Sequence, residues 1–120
     1  MTAMDGLEQS VLAQLADDLP ADDLRTVVGS AFSDLDRMIP AVVAAVAGAE
    51  AEHARRTAHA IAGVAGLLGA AALEKRARAI MAETAAGRIP DLATVAAMRT
   101  EAEQVRQAIQ AFLAARGISV

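Results

Sequence analysis

The chain has no cysteine, no tryptophan and no tyrosine. Without cysteine, neither a disulfide frame nor a thiolate metal site is possible. With two phenylalanines as its only aromatic residues, it lacks the stacking platforms that single-stranded nucleic-acid binders use. It also lacks a basic excess: 11 Lys and Arg stand against 15 Asp and Glu, a formal net charge of −4, which argues against nucleic acid as a partner. No stretch sustains the β-branched or aromatic alternation of a strand. Met1 to Gly6 lack the basic and apolar segments of a secretion signal. The uncharged run from Thr57 to Leu73 is mostly Ala and Gly, and falls slightly short of the roughly 20 residues that a membrane span needs. The expectation is a cytoplasmic protein without membrane contact.

What is abundant is alanine, accompanied by leucine, glutamate, arginine and methionine, the composition of helices packed through small side chains. A chain of 120 residues is expected to form one domain over 1–120, large enough to bury a core without staples. Leu7, Val11, Leu12 and Leu15 place a short first helix over 5–18, followed by a turn at 17–20. Leu24, Val28, Ala31, Leu35, Met38, Val42 and Val46 draw one apolar stripe along a second helix, 20–47, widened by Val27, Phe32, Ile39 and Val43. Pro40 interrupts its hydrogen bonding, yet the stripe resumes in phase, so the spacing predicts a kink rather than a break. Gly48 is placed to end it, and Glu50 and Glu52 open a third helix reaching Gly69.

A fourth helix over 71–86 turns Leu73, Ala77, Ile80 and Thr84 inward and exposes Glu74, Lys75, Arg76, Arg78 and Glu83. Such mixed charge is usually plain solvated surface, with Arg76 and Arg78 as possible flanks of a docking site. Gly87 to Asp91 form a turn, and a last helix over 91–116 carries a seam of Val95, Met98, Ala102, Val105, Ile109 and Phe112. Four long helices with short connections predict an all-α, antiparallel up-and-down four-helix bundle, with a short additional N-terminal helix over one end.

The third helix carries the chemistry. At about 100° per residue, Arg55, Arg56, Ala62, Gly63, Gly66 and Ala70 fall within about 60° of His59. Thr57, Ile61, Val64, Ala65 and Leu68 fall opposite, as core. A helix-interior glycine costs roughly 0.5–1 kcal/mol relative to alanine. Gly63 and Gly66 on the histidine side are therefore expected to clear space for a partner's approach, against the plainer reading of neutral glycines beside a surface histidine. His53 lies about 120° round from His59, so the two cannot chelate one metal, and no metal site is expected.

His59-Ala60-Ile61-Ala62-Gly63-Val64-Ala65-Gly66-Leu67-Leu68-Gly69-Ala70 resembles the signature of histidine-containing phosphotransfer (HPt) domains, roughly His-x-Leu/Ile-Lys-Gly-x-Ser/Ala-Gly/Ala-x-Leu/Val-Gly. His59, Ile61, Gly63, Ala65, Gly66, Leu68 and Gly69 fit, Ala58 and Leu73 suit the flanks, and the resemblance extends more loosely over 20–88. It implies that His59 takes a phosphoryl group from a receiver-domain aspartate and passes it to another. The implied partners are response-regulator receiver domains and a hybrid histidine kinase, with no cofactor on this chain and Mg²⁺ on the receiver. One position departs: the family's lysine three residues after the histidine is Ala62 here.

Arg55 and Arg56, a turn upstream, are the candidates to neutralise phosphate in its place. Gly63 and Gly66 would give clearance, and Leu67, about 80° from the histidine, would add apolar contact at the rim. A kinase dimerisation helix fits less well, because an acidic residue normally follows its histidine and Ala60 follows here. Two other readings stay open: a degenerate HPt-like module that docks a receiver or kinase without carrying phosphate, and a helical adaptor in which His59 is incidental. A chain able to close its own bundle is expected to be a monomer.

Overall fold

The computed structural model describes residues 7–120. Its secondary structure is five α-helices, with no strand among the described residues: α1 (Gln9–Asp18), α2 (Ala21–Ala47), α3 (Ala51–Leu68), α4 (Ala71–Ala85) and α5 (Leu92–Ala114). The helix expected from residue 5 starts at Gln9; residues 5 and 6 lie outside the described residues, and Leu7 is buried ahead of the helix. α3 packs most extensively on α4 and then on α2, α5 packs on α2 and α4, and α1 touches α2 and α3.

The apolar stripes are buried largely as their spacing predicts. Along α2, Leu24, Val28, Leu35, Ile39 and Val42 are at most 4% exposed, and each such side chain contributes about 1.5–3 kcal/mol relative to an exposed one. α2 runs through Pro40 unbroken. Proline has no N–H to give the Asp36 carbonyl, but Pro40 is exposed, and the buried stripe continues on either side of it through Leu35, Ile39 and Val42. All four inward residues expected of α4 are buried, and the Thr84 hydroxyl is satisfied by the carbonyls of Ile80 and Met81 at 2.9 and 3.0 Å. The seam of α5 is shifted: Ala102 and Phe112 are only partly buried, Ala108 and Leu113 fill the core, and Phe112 lies beneath the Arg116 guanidinium at 5.2 Å.

Two turns set the ends of α3. Between α2 and α3 the left-handed residue is Ala49 (φ 57°), one position after Gly48. The Glu50 N–H donates to the Ala45 carbonyl and the Ala49 N–H to that of Val46, at 2.8 and 3.0 Å, the bonding of a Schellman turn, which favours glycine where Ala49 stands. Between α3 and α4, Gly69 has φ +73°, and a Cβ there would lie 2.6 Å from the Glu8 carbonyl oxygen. The Glu8 N–H donates to the Gly69 carbonyl. Gly69 therefore closes α3 and seats the lead-in to α1 at once.

Ion pairs lace the helices. Arg76, one of the two expected docking flanks, instead spans α4 and α5: its Nε and Nη2 donate to Glu101 Oε1 and Oε2 at 2.7 and 2.8 Å. That hydrogen bonding raises the guanidinium's pKa above its ordinary value. Arg106 pairs with Asp36 across α2 and α5 and stacks 4.6 Å over Phe32.

Candidate functional site

His59 stands on α3, between Ala58 in the core and exposed Ala60, and is itself exposed. Among the described residues no hydrogen bond or ion pair engages its ring. The helix beneath it is rich in alanine, a strong helix former, but Gly63 and Gly66 lower its propensity. It is held by a buried face of Ala54, Ala58, Ile61, Ala62, Ala65 and Leu68, each at most 2% exposed.

That face corrects the predicted orientation of the helix. Ala62 was expected on the open surface beside His59; it is 2% exposed. Thr57 and Val64, expected in the core, are only half-buried. The exposed residues are Glu52, His53, Arg56, His59, Ala60, Gly63 and Leu67. At about 100° per residue they span from His59 to roughly 120° round on the α2 side. The open sector is thus rotated toward α2, and His59 stands at its α4 edge. The physical reason is the closeness of the α3–α4 pair: alanine faces let the two helices approach, and Ala62 lies one turn before Gly66, where a Cβ would meet Glu74 of α4, so the position where the family carries lysine is buried on the α4 flank.

The two arginines differ. Arg55 is drawn back toward the N-terminus of α3, its Nε and Nη2 donating to Glu52 Oε1 and Oε2 at 3.0 and 2.6 Å. This bonding holds the Glu52 carboxyl below its ordinary pKa and the Arg55 guanidinium above its own. Arg56 reaches the same carboxylate only at 4.0 Å and is 66% exposed. It lines an open groove between α2 and α3 together with His53, Thr57 and Ala60 of α3 and Arg37, Met38 and Ala41 of α2. Sequence reading did not connect Arg37 with His59, because no residue spacing relates side chains on neighbouring helices.

The glycines separate by role as well. A Cβ at Gly63 would meet nothing within 4 Å, so this glycine leaves open surface one turn from His59. At Gly66 a Cβ would touch the Glu74 carboxylate at 3.5 Å. Gly66 thus faces α4 rather than clear solvent, a correction to its expected pairing with Gly63. Glu74 in turn accepts from Arg78 at 2.8 Å, so the second expected docking flank is tied along its own helix. Leu67 is 46% exposed and Val11 36%, and both line a shallow apolar groove between α1 and α3 with Leu15 and Gly66.

The stripe through His59 therefore has a groove carrying Arg37 and Arg56 beside its first half and one carrying Val11, Leu15 and Leu67 beside its second. No group of three or more His, Cys, Asp or Glu able to hold a metal occurs among the described residues. Among the described residues no helix is long and apolar enough to cross a membrane. A separate cleft of about 150 Å³ between α2 and α5, floored by Phe32, Leu35 and Ile39, is smaller than the roughly 300–1,000 Å³ of ordinary ligand pockets.

The family model for the Hpt domain matches residues 7–115. No curated protein and no solved structure matches the chain.

Proposed function

The chain belongs to the Hpt domain family, whose members work in phosphorelays, and on that premise we propose that it is a histidine phosphotransfer protein that accepts and donates a phosphoryl group on His59. We read it as a single, monomeric domain, an up-and-down bundle of α2 to α5 with α1 over one end. Its partners are receiver domains and a hybrid kinase. The observation that carries the reading is an exposed, unengaged imidazole on a helix clamped by six buried residues. A rigid support matters because transfer needs the attacking nitrogen, the phosphorus and the leaving oxygen in line.

In the accepting step the unprotonated ring nitrogen of His59 attacks the phosphorus of an aspartyl phosphate. A nitrogen–phosphorus bond forms, the phosphorus–oxygen bond breaks, and the aspartate leaves as carboxylate. The ring's other nitrogen keeps its proton through the attack, and the reverse sequence delivers the group to a second aspartate. Mg²⁺ held by the partner would supply charge neutralisation. This chain contributes the nucleophile, the open surface at Ala60 and Gly63 that admits the partner, and the apolar contact of Leu67 and Val11.

One observation favours the second reading, a docking module that carries no phosphate: the family's lysine position is buried, not merely substituted. Intact-protein mass spectrometry separates the two. The chain is mixed at neutral or mildly alkaline pH with receiver domains phosphorylated by acetyl phosphate, wild type beside His59→Gln. Phosphotransfer predicts an acid-labile phosphoryl mass gain that the variant loses completely while keeping its helical content. Receiver binding without any mass gain would establish the docking module instead.

A further inference from the structure

We propose that the positive charge missing at position 62 is supplied from the α2–α3 groove, by Arg37 of α2 together with Arg56 of α3, and that this groove seats the acidic rim of the partner around its acyl phosphate. The inference rests on the phosphotransfer reading of His59 and names the surface that selects its partner.

Three independent features converge on this side of the helix. The first is access. The open sector of α3 runs from His59 toward α2, while the opposite flank is closed by α4 at Ala62. A partner whose reacting atom reaches His59 must therefore lay its bulk over Arg56, Ala60 and the groove beyond them. The second is charge. The groove is lined by Arg37, His53 and Arg56, with Met38, Ala41 and Ala60 as its apolar part, and by no carboxylate. In a chain of net charge −4, a lining that holds two arginines, with the carboxylates of Asp34 and Glu52 reaching them only from outside it, attracts anions where the chemistry needs it.

The third feature is how loosely these arginines are held. Among the described residues, Arg37 has one ion-pair contact, to Asp34 at 3.2 Å, and is 68% exposed. Arg56 has one there too, to Glu52 at 4.0 Å. Exposed pairs of this kind are worth little, so either guanidinium is free to turn to a phosphoryl oxygen or a partner carboxylate, which its planar fork matches in a bidentate way. Arg55 makes two shorter bonds to Glu52 and is 39% exposed. Arg78 makes two to Glu74, on the α4 side. The cations on the closed flank are engaged and those on the open flank are available. A lysine on the histidine's own helix is thereby replaced by charge shared between two helices.

The test measures receiver affinity and transfer rate, each against salt concentration, for Arg37→Ala, Arg56→Ala, the double variant, Arg37→Lys and Arg55→Ala, with His59→Gln alongside. The double variant is expected to lose roughly tenfold in affinity and to show a shallower salt dependence. Arg37→Lys should recover part of the loss, and Arg55→Ala should have a smaller effect than Arg56→Ala. Circular dichroism should show unchanged helix content, because both side chains are largely exposed.

If affinity and rate are unchanged in the double variant while His59→Gln still abolishes labelling, the groove inference is overturned and phosphotransfer stands. If the wild type binds receivers but gains no phosphoryl group, phosphotransfer fails, and the groove is judged on affinity: a tenfold drop supports it and no drop overturns it. A wild type that neither binds nor is labelled overturns both. Retention on inorganic phosphate or nucleic acid equal to that on receivers would also overturn it, by showing a groove selective for anions but not for this partner.

Discussion

The two flanks of α3 are built from the same residue types and do opposite things. On the α4 side, Ala58, Ala62 and Ala65 are buried and Gly66 meets Glu74, and the arginines nearby are locked to carboxylates on their own helices. On the α2 side, Ala60 and Gly63 are open, and Arg37 and Arg56 are barely held. Alanine and glycine serve as packing on one flank and as clearance on the other. What distinguishes them is which neighbouring helix lies opposite, so a small residue in this motif has no role until its flank is known.

Substitutions along the motif can break that contrast or sharpen it. The largest effect is expected at the closed end. Gly69→Ala forces an L side chain into a left-handed conformation and drives its Cβ to 2.6 Å from the Glu8 carbonyl oxygen, which should lower stability by about 3 kcal/mol. Urea unfolding checks this, and a loss below about 1 kcal/mol would show that the α1 lead-in moves aside.

Next is Ala62→Lys, the change that restores the family's residue. On an open surface it would be harmless. Under α4, at 2% exposure, it should cost about 2 kcal/mol through overpacking and a half-buried ammonium. The charge it restores would then come with a disturbed α3–α4 contact. Full stability together with faster transfer would mean that the closed flank opens readily, and would remove the reason for placing the charge on the α2 side.

The smallest effect has the opposite sign. Gly63→Ala adds a methyl where nothing lies within 4 Å and should raise stability by about 0.5–1 kcal/mol through helix propensity. Gly66→Ala, against Glu74, should gain less. Equal gains at the two sites would erase the difference between the flanks as far as packing is concerned. At Gly63 the larger Gln should preserve stability yet weaken receiver binding, as measured by titration.

Much of this was legible beforehand. Periodicity located all five helices, because an apolar residue every three or four positions has one economical explanation. Gly69 could be read as a helix end, and His59 as the residue a rigid helix presents. The errors are concentrated where alanine predominates. Ala58, Ala60, Ala62 and Ala65 have the same hydropathy, yet three are buried and one is exposed. A helical wheel gives angles between residues but not which angle faces solvent, and alanine supplies too little contrast to decide. Ala49 shows the same limit at a turn: Gly48 marked the region, but hydrogen bonding put the left-handed residue one position later.

The sequence by itself determined that this chain is helical, where its helices lie to within a few residues, and that His59, in a glycine-bearing helix, resembles a phosphoacceptor. Those properties are local, set by propensity, capping and period. Tertiary structure alone decided that the lysine position is closed and that Arg37 arrives beside Arg56 from another helix. Each of these depends on the phase and distance at which two helices pack, which the residues of neither helix encode alone.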